Sequence, residues 1–299
     1  FQAEDGIRDV ERSRGLGDVY KRQPITRGSY RPNNYENNFL GPITLRYALK
    51  ESRNVPAVSL YDMIGSAKVL EFASKFGFQT QSFPTNDLTV ALGSQDVQPL
   101  ELVTGYSSIA NGGFKVNPWF IEKVTSELDG ILYQSDPYEV CQNCNMTDST
   151  TKIAPRIIEQ RVAYILNSML ESVIADGSGN RVYRELGRDD LRGKTGTTNG
   201  PQELWFSGFN KNIATTVFVG LDQPEPLGER EQGATVAVPI WIDFMREALK
   251  DEPETTLSRP DGIVDLLIEK ETLDGDEFVN ILSKFTKIPE KERTPQLLS

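Results

Sequence analysis

Two short strings in this 299-residue chain carry side chains that could perform acyl-transfer chemistry. The first is Ser52-Arg53-Asn54, and the second is Lys194-Thr195-Gly196-Thr197. The chain contains no histidine, which excludes catalysis by Ser-His-Asp or Cys-His groups and histidine metal sites within it. Proton transfer near neutral pH would therefore use a lysine, a carboxylate, a tyrosine or water.

The two strings complement each other chemically. An acyl-transfer site without histidine needs a lysine to manage protons, a hydroxyl to relay them and donors for a substrate carboxylate. The first string supplies a hydroxyl from Ser52 and an amide from Asn54 that both donates and accepts. The second supplies the Lys194 cation, two threonine hydroxyls and a glycine that lets an extended peptide approach the backbone closely. We predict one site, in which a peptide pairs with the edge of a strand.

Each string alone has a less specific interpretation. Ser52 could cap a helix terminus. Lys194 could be a lysine that protects an exposed edge strand from pairing. Because short motifs match many chains by chance, either string by itself favours these structural roles, and only the pair favours a site.

The helices that must position these strings follow from apolar spacing and from residues typical of helix ends. We predict a helix over residues 42–51, a break at Asn54-Val55-Pro56, and a second helix up to Ile64. Further helices are predicted from a cap at Gly65-Ser66 to a stop at Gly77, and over 98–112, 159–175 and 237–249. The helix at 159–175 carries an apolar stripe made of Val162, Ile165, Leu166, Met169, Leu170 and Val173.

Strand-like runs follow one another closely at residues 192–198, 203–209 and 213–221. The polar turn Asn210-Lys211-Asn212 joins the last two and predicts an antiparallel hairpin. Helices grouped before and after adjacent strands indicate an α+β fold, with an antiparallel sheet flanked by helices.

The two strings, with the segments around them, resemble the C-terminal transpeptidase region of class A (bifunctional) penicillin-binding proteins of the 1A type. The likeness keeps the order of that family from about residue 24 to 250. Other segments that carry it are 30–35, 39–42, 52–57, 91–94, 99–102, 110–113, 193–199, 205–209 and 239–241.

The resemblance implies a serine β-lactamase/D,D-transpeptidase-like fold that needs no cofactor. It implies that the complete enzyme cross-links peptidoglycan by forming a serine acyl-enzyme with D-Ala-D-Ala stem peptides, and that β-lactams acylate the same serine. Ser52, assisted by Lys194, would relay a proton to the leaving amine, and Asn54 would bind the substrate backbone. The hydroxyls of Thr195 and Thr197 would hold the terminal carboxylate, and the Thr197 N–H would form half of the oxyanion hole.

The nucleophile of that family lies in a Ser-x-x-Lys motif upstream of Ser-x-Asn, and residues 24–51 contain no such motif. The Ser-x-x-Lys at residues 149–152 follows Ser52, which is the wrong order, and lies in a polar stretch. We therefore expect the nucleophile to be absent from this chain and the chain alone to be inactive. We further expect a glycosyltransferase domain and a membrane anchor to precede it, on the periplasmic side of the bacterial inner membrane.

The two ends of the chain differ from its body. Residues 1–23 resemble a translated sequencing adaptor, so we interpret them as a non-native leader. Residues 24–250 would form a partial transpeptidase domain. Residues 251–299 would form a loosely attached acidic tail, with a possible strand at 262–269 and a short helix at 276–285.

Composition limits the possible partners. The net charge of −11 argues against a nucleic-acid binder, and no apolar run approaches the ~18 residues of a membrane span. In an oxidising periplasm Cys141 and Cys144 favour a local disulfide over a zinc site or a thioredoxin-like role. Two alternatives stay open: a β-lactamase or D,D-carboxypeptidase, and a non-catalytic binding or sensor module of the same fold.

Overall fold

A computed structural model of the chain describes residues 30–34, 40, 43–140 and 152–261. Its helices are α1 (Leu45–Lys50), α2 (Asn54–Ile64), α3 (Ser66–Lys75), α4 (Pro99–Ala110), α5 (Gln160–Ala175), α6 (Asn180–Leu186) and α7 (Val238–Ala248). Its strands are β1 (Lys123–Ser126), β2 (Gly130–Gln134), β3 (Arg192–Thr197), β4 (Glu203–Phe209) and β5 (Ala214–Gly220). Short 3-10 turns occupy Thr80–Ser82 and Leu88–Leu92, and a π-helical turn at Gly233–Ala237 precedes α7.

The strands form two separate antiparallel sheets. β1 pairs with β2, and β3, β4 and β5 form a second sheet in that order. In the larger sheet Lys194 lies opposite Ser207, and Gly196 lies opposite Trp205. The predicted hairpin between β4 and β5 is confirmed, and so is the α+β arrangement of helices around an antiparallel sheet.

Helices cover both faces of the β3–β5 sheet. Because side chains alternate along a strand, Phe206 and Phe209 of β4 point to opposite faces. Phe206 packs edge-on against Trp241 of α7, with ring centroids 5.1 Å apart, inside a buried cluster that includes residues of α6. Phe209 packs with Ala110 of α4 and Leu170 of α5 in a second cluster. The sheet is therefore held between two apolar layers.

The apolar stripe predicted on α5 is only partly correct. Leu170 and Val173 are buried, but Val162 is 48% exposed. The buried face includes Asn167, whose amide donates to the carbonyl oxygens of Ile109 and Ala163, both at 2.9 Å. A polar residue that is satisfied by backbone carbonyls can occupy a core position, and apolar spacing cannot reveal it.

Other differences concern helix ends and short elements. The cap predicted at Gly65-Ser66 falls on Gly65, while Ser66 begins α3 and its hydroxyl donates to the Thr85 carbonyl. Helix α6 and the β1–β2 hairpin were not predicted from the sequence. The predicted elements at 262–269 and 276–285, the Cys141/Cys144 pair and Ser149 lie outside the described residues.

The first residues of the predicted tail bind to the body. Arg188 donates to the Glu252 carbonyl at 2.9 Å, and the backbone N–H of Thr255 donates to Asp190 at 3.0 Å. The Asp190 carboxylate also accepts from Arg188, so it fastens this segment to the turn before β3. Within the described ranges, no helix has the length and apolar character needed to cross a bilayer.

Candidate functional site

Ser52 lies in a left-handed turn at the end of α1. Its φ is +53°, and it is the one non-glycine residue with positive φ in the part of the chain that the structure describes. The Ser52 N–H donates to Leu49 O at 3.1 Å, and the Arg53 N–H donates to Ala48 O at 2.8 Å. This is the Schellman pattern, whose left-handed position usually holds glycine. Such a conformation costs a serine about 1–2 kcal/mol, and these two hydrogen bonds hold the backbone in it.

Polar contacts fix α1 against α5 and so fix the turn that carries Ser52. Arg46 donates to the Ser168 carbonyl at 2.6 Å and to the Ser172 hydroxyl at 3.0 Å. Lys50 forms an ion pair with Asp176 at 2.6 Å, and this hydrogen bond raises the pKa of Lys50 above its usual value.

Lys194 of β3 meets Ser52 across a sequence separation of 142 residues. Its Nζ donates to Ser52 Oγ at 2.6 Å and to the Thr195 carbonyl at 3.0 Å. No carboxylate lies within ion-pair distance of Lys194 among the residues described. Burial lowers the pKa of Lys194 to about 8, because no nearby negative charge offsets the loss of hydration. The ammonium can therefore release and regain a proton near neutral pH.

Both threonine hydroxyls of the second string already have one partner. Thr197 Oγ1 accepts from the Gly233 N–H at 3.0 Å, at the start of the π-helical turn. Thr195 Oγ1 donates to Ser178 Oγ at 3.1 Å. Ser178 was not predicted from the sequence, because Gly177-Ser178-Gly179 read only as the end of a helix. The flanking glycines indicate a close backbone approach and were the available signal.

Gly196 has a packing role that the sequence did not reveal. A Cβ at this position would lie 3.1 Å from Trp205 Cβ. A Cβ on Gly233 would in turn lie 2.5 Å from the Gly196 carbonyl oxygen. The two glycines therefore let the π-helical turn pack directly on β3, next to the threonine that it contacts.

Asn54, which the sequence predicted as a site residue, is held by contacts with residues 33 and 34 rather than with Lys194. Its amide donates to the Asn33 carbonyl at 2.9 Å, and the Val55 N–H donates to Asn34 Oδ1 at 3.2 Å. These bonds tie the first turn of α2 to the segment at residues 30–34. Within the described ranges, no hydrogen bond joins Asn54 to Lys194.

Two further features lie apart from this cluster. A cavity of 280 Å³ between α5, the start of β3 and residues 255–257 contains none of the predicted site residues. The described residues contain no group of three metal-ligating His, Cys, Asp or Glu side chains. That the site works without a cofactor stays a prediction.

Comparison with known proteins identifies the family. Residues 16–246 match the penicillin binding protein transpeptidase domain. The chain belongs to this family. Penicillin-binding protein 1A of Pseudomonas aeruginosa is 41% identical, over 81% of this chain and 34% of its own length. Penicillin-binding protein 1A of Neisseria lactamica is 36% identical, over 78% and 28%. The chain thus spans about a third of the length of these relatives, and the predicted resemblance to the 1A type is confirmed.

Solved structures show the same fold. The crystal structure of penicillin-binding protein 1A from Haemophilus influenzae has a TM-score of 0.75 and 32% identity, covering 86% of this chain and 43% of that one. The PonA1 protein from Mycobacterium tuberculosis in complex with penicillin V has a TM-score of 0.65 and 22% identity, covering 84% of this chain and 68% of that one. The second likeness supports the fold alone. The prediction of a penicillin-binding transpeptidase fold is confirmed.

Proposed function

We propose that this penicillin-binding chain is part of a serine D,D-transpeptidase that cross-links peptidoglycan. Its substrates would be stem peptides ending in D-Ala-D-Ala, and β-lactams would bind as mimics of that terminus. The observation that carries this proposal is the 2.6 Å hydrogen bond from Lys194 Nζ to Ser52 Oγ. This bond supports the proposal because it joins an ammonium to a hydroxyl, and Thr195 and Thr197 lie on the same strand as the ammonium.

The proposed reaction gives each residue a defined task. A serine attacks the D-Ala-D-Ala peptide bond, the C–N bond breaks, and free D-alanine leaves with its amine protonated. Ser52 would donate its hydroxyl proton to that amine and recover one from the Lys194 ammonium, and the proton lost by the attacking serine would restore the Lys194 ammonium. Because burial lowers the pKa of Lys194 to about 8, its ammonium gives up a proton more readily than that of an exposed lysine. An amine of a second stem then replaces the acyl-enzyme ester with a new amide.

The second string, Lys194 to Thr197, would bind the terminal carboxylate of the substrate. Thr197 Oγ1 accepts from Gly233, so its own proton can point towards a carboxylate oxygen. The charge of Lys194 adds attraction. The Thr197 N–H would supply one donor of the oxyanion hole, and the N–H of the acylated serine would supply the other.

The whole protein would have further parts. The acylated serine would come from a Ser-x-x-Lys motif, which residues 1–51 do not contain. By similarity to class A members, we propose a glycosyltransferase domain and a membrane anchor in the full-length protein, acting on the periplasmic face of the inner membrane.

A binding experiment on the chain in hand tests the proposal. NMR titration with diacetyl-Lys-D-Ala-D-Ala should shift the amide resonances of residues 52 and 194–197, and the L-Ala-L-Ala isomer should bind at least about tenfold more weakly. Lys194→Met should abolish the binding, because it removes the cation. Lys211→Met, in the exposed turn between β4 and β5, is the matched control and should bind as wild type. Equal binding of the two isomers would contradict the proposal.

The alternatives predict different outcomes. A fluorescent penicillin should not label this chain covalently, and stable labelling would show that a nucleophile is present after all. A Ser-x-x-Lys motif in the gene upstream supports the transpeptidase, and its absence supports a binding or sensor module. Rapid release of a hydrolysed β-lactam by the complete protein would favour a β-lactamase.

A further inference from the structure

The Gly177-Ser178-Gly179 loop joins the two strings of the site. The Ser178 N–H donates to the Lys50 carbonyl at 3.1 Å, at the end of the helix that carries Ser52. The Ser178 hydroxyl accepts from Thr195 of β3 at 3.1 Å. One residue therefore contacts both the turn that holds Ser52 and the strand that holds Lys194.

Close packing fixes this loop. A Cβ on Gly177 would lie 2.5 Å from Lys50 Cγ, and a Cβ on Gly179 would lie 2.9 Å from Ile174 Cδ1. The Gly179 N–H also donates to the Val173 carbonyl at 3.0 Å. The Ser178 side chain is thus presented to Thr195 by a loop with little freedom to move.

The two threonines of the site have different kinds of support. Thr197 is backed by a backbone N–H, which can only donate, so the Thr197 proton stays available. Thr195 is backed by a hydroxyl, which can donate or accept by rotating its hydrogen. The Thr195 hydroxyl donates to Ser178 Oγ, so its proton points away from a carboxylate until this hydrogen bond reverses.

We propose that Ser178 is a positioning residue that switches Thr195 into a donor for the substrate carboxylate. When the carboxylate arrives, the Ser178 O–H turns to donate to Thr195 Oγ1, and the Thr195 O–H turns to donate to the carboxylate. The heavy atoms stay in place, and the two hydroxyl bonds reinforce each other. The inference rests on the proposed function, since it names a further residue of the same site.

The test compares a ligand that has the carboxylate with one that lacks it. Dissociation constants of diacetyl-Lys-D-Ala-D-Ala and of its C-terminal amide are measured by NMR titration for wild type and Ser178→Ala. We expect Ser178→Ala to weaken the acid by about three- to tenfold, as for loss of one hydrogen bond, and to leave the amide unchanged. Ser178→Thr keeps the hydroxyl and should restore acid binding.

Structural effects are controlled in two ways. The Ser178 N–H bond to Lys50 survives in both variants, and thermal unfolding verifies that they are folded. Ser74→Ala removes a different hydroxyl, on α3, which donates to the Glu71 carbonyl at 2.7 Å and does not touch Thr195. It should bind both peptides as wild type.

A double-mutant cycle with Thr195→Val decides whether the effect passes through the threonine. In the Thr195→Val background, Ser178→Ala should cause no further loss of acid binding. The inference is wrong if Ser178→Ala leaves the acid unchanged, if it weakens acid and amide equally, or if its effect persists without the Thr195 hydroxyl. If wild type fails to prefer the D,D peptide over its L,L isomer, the proposed function itself fails.

Discussion

The two antiparallel sheets of this protein differ in what covers them. The β3–β5 sheet is packed by helices on both faces, and Phe206 and Phe209 of its central strand are at most 1% exposed. The β1–β2 hairpin has similar apolar content, yet Ile131 and Leu132 are 57% and 58% exposed and Leu128 in its turn is 94% exposed. Strand pairing alone does not bury side chains, and only the enclosed sheet carries the site.

This difference has a functional meaning. The hydrogen bond between Lys194 and Ser52 must be held to a fraction of an ångström, which requires rigid support. In the enclosed sheet Trp241 provides part of this rigid support, because its Nε1 donates to the Thr215 carbonyl at 3.1 Å. The hairpin has no such anchor among the described residues and contributes no side chain to the site.

The largest expected effect comes from removing that anchor. Trp241→Ala should lower the free energy of unfolding by about 3–5 kcal/mol, because it leaves a cavity beside Phe206. Leu128→Ala in the exposed hairpin turn should change it by less than about 0.5 kcal/mol. Urea unfolding followed by circular dichroism measures both. Similar losses for the two variants would mean that the hairpin is as firmly packed as the sheet.

A smaller effect should come from overpacking at a glycine. A Cβ on Gly208 of β4 would lie 2.7 Å from Trp241 Cζ2 and 2.9 Å from the Arg192 carbonyl. Gly208→Ala should therefore cost about 1–3 kcal/mol and weaken ligand binding, because the distorted strand lies next to β3. A Cβ on Gly130 in the hairpin would have no atom within 4 Å, so Gly130→Ala adds only the backbone strain of a φ of +74°. It should lower stability by about 1 kcal/mol and leave binding unchanged.

The smallest effect is a change in the pH dependence of stability. Below pH 8 Lys194 is charged in both the folded and the unfolded chain, so folding has to desolvate the charge. Between its folded pKa of about 8 and the usual lysine value of 10.5, the unfolded chain binds more protons, so stability rises with pH. Relative to Lys194→Met, wild type should become more stable as pH rises from 8 to 10.

Tyr106 opposes this rise above pH 10 in the absolute stability of wild type and variant alike. Burial raises its pKa to about 12 from the usual 10.0, so above pH 10 the unfolded chain loses a proton first and stability falls. Lys123→Met removes the same charge from exposed β1 and should follow the wild-type profile. A flat difference between wild type and Lys194→Met across pH 8–10 would contradict the burial of this lysine charge.

The sequence predicted the elements with strong periodic signals. Strands β3, β4 and β5, and helices α4, α5 and α7, lie within one or two residues of the predicted bounds, since apolar spacing and end residues mark them clearly. Chemistry rather than periodicity predicted that Ser52 and Lys194 share a site. Asn54 was assigned to that site by resemblance, and its hydrogen bond to the Asn33 carbonyl gives it a structural role as well.

The remaining features depend on tertiary contacts that have no periodic signal. Helix α6 has seven residues, too few for a clear pattern. From the sequence Asn167 is expected to face solvent, and only the folded chain supplies the Ile109 carbonyl to which its amide donates. In the sequence Ser178 indicates only the end of a helix, and its contact with Thr195 exists only in the folded chain.

The left-handed turn at Ser52 sets stability against function at a single position. Glycine would suit that backbone better, but it has no oxygen to place beside Lys194. Proteins retain such conformational penalties at residues that are selected for their chemistry, and the proposed role of Ser52 would be one such case. A search for stabilising substitutions would therefore choose this residue early, and a more stable protein obtained that way would lack its proposed proton relay.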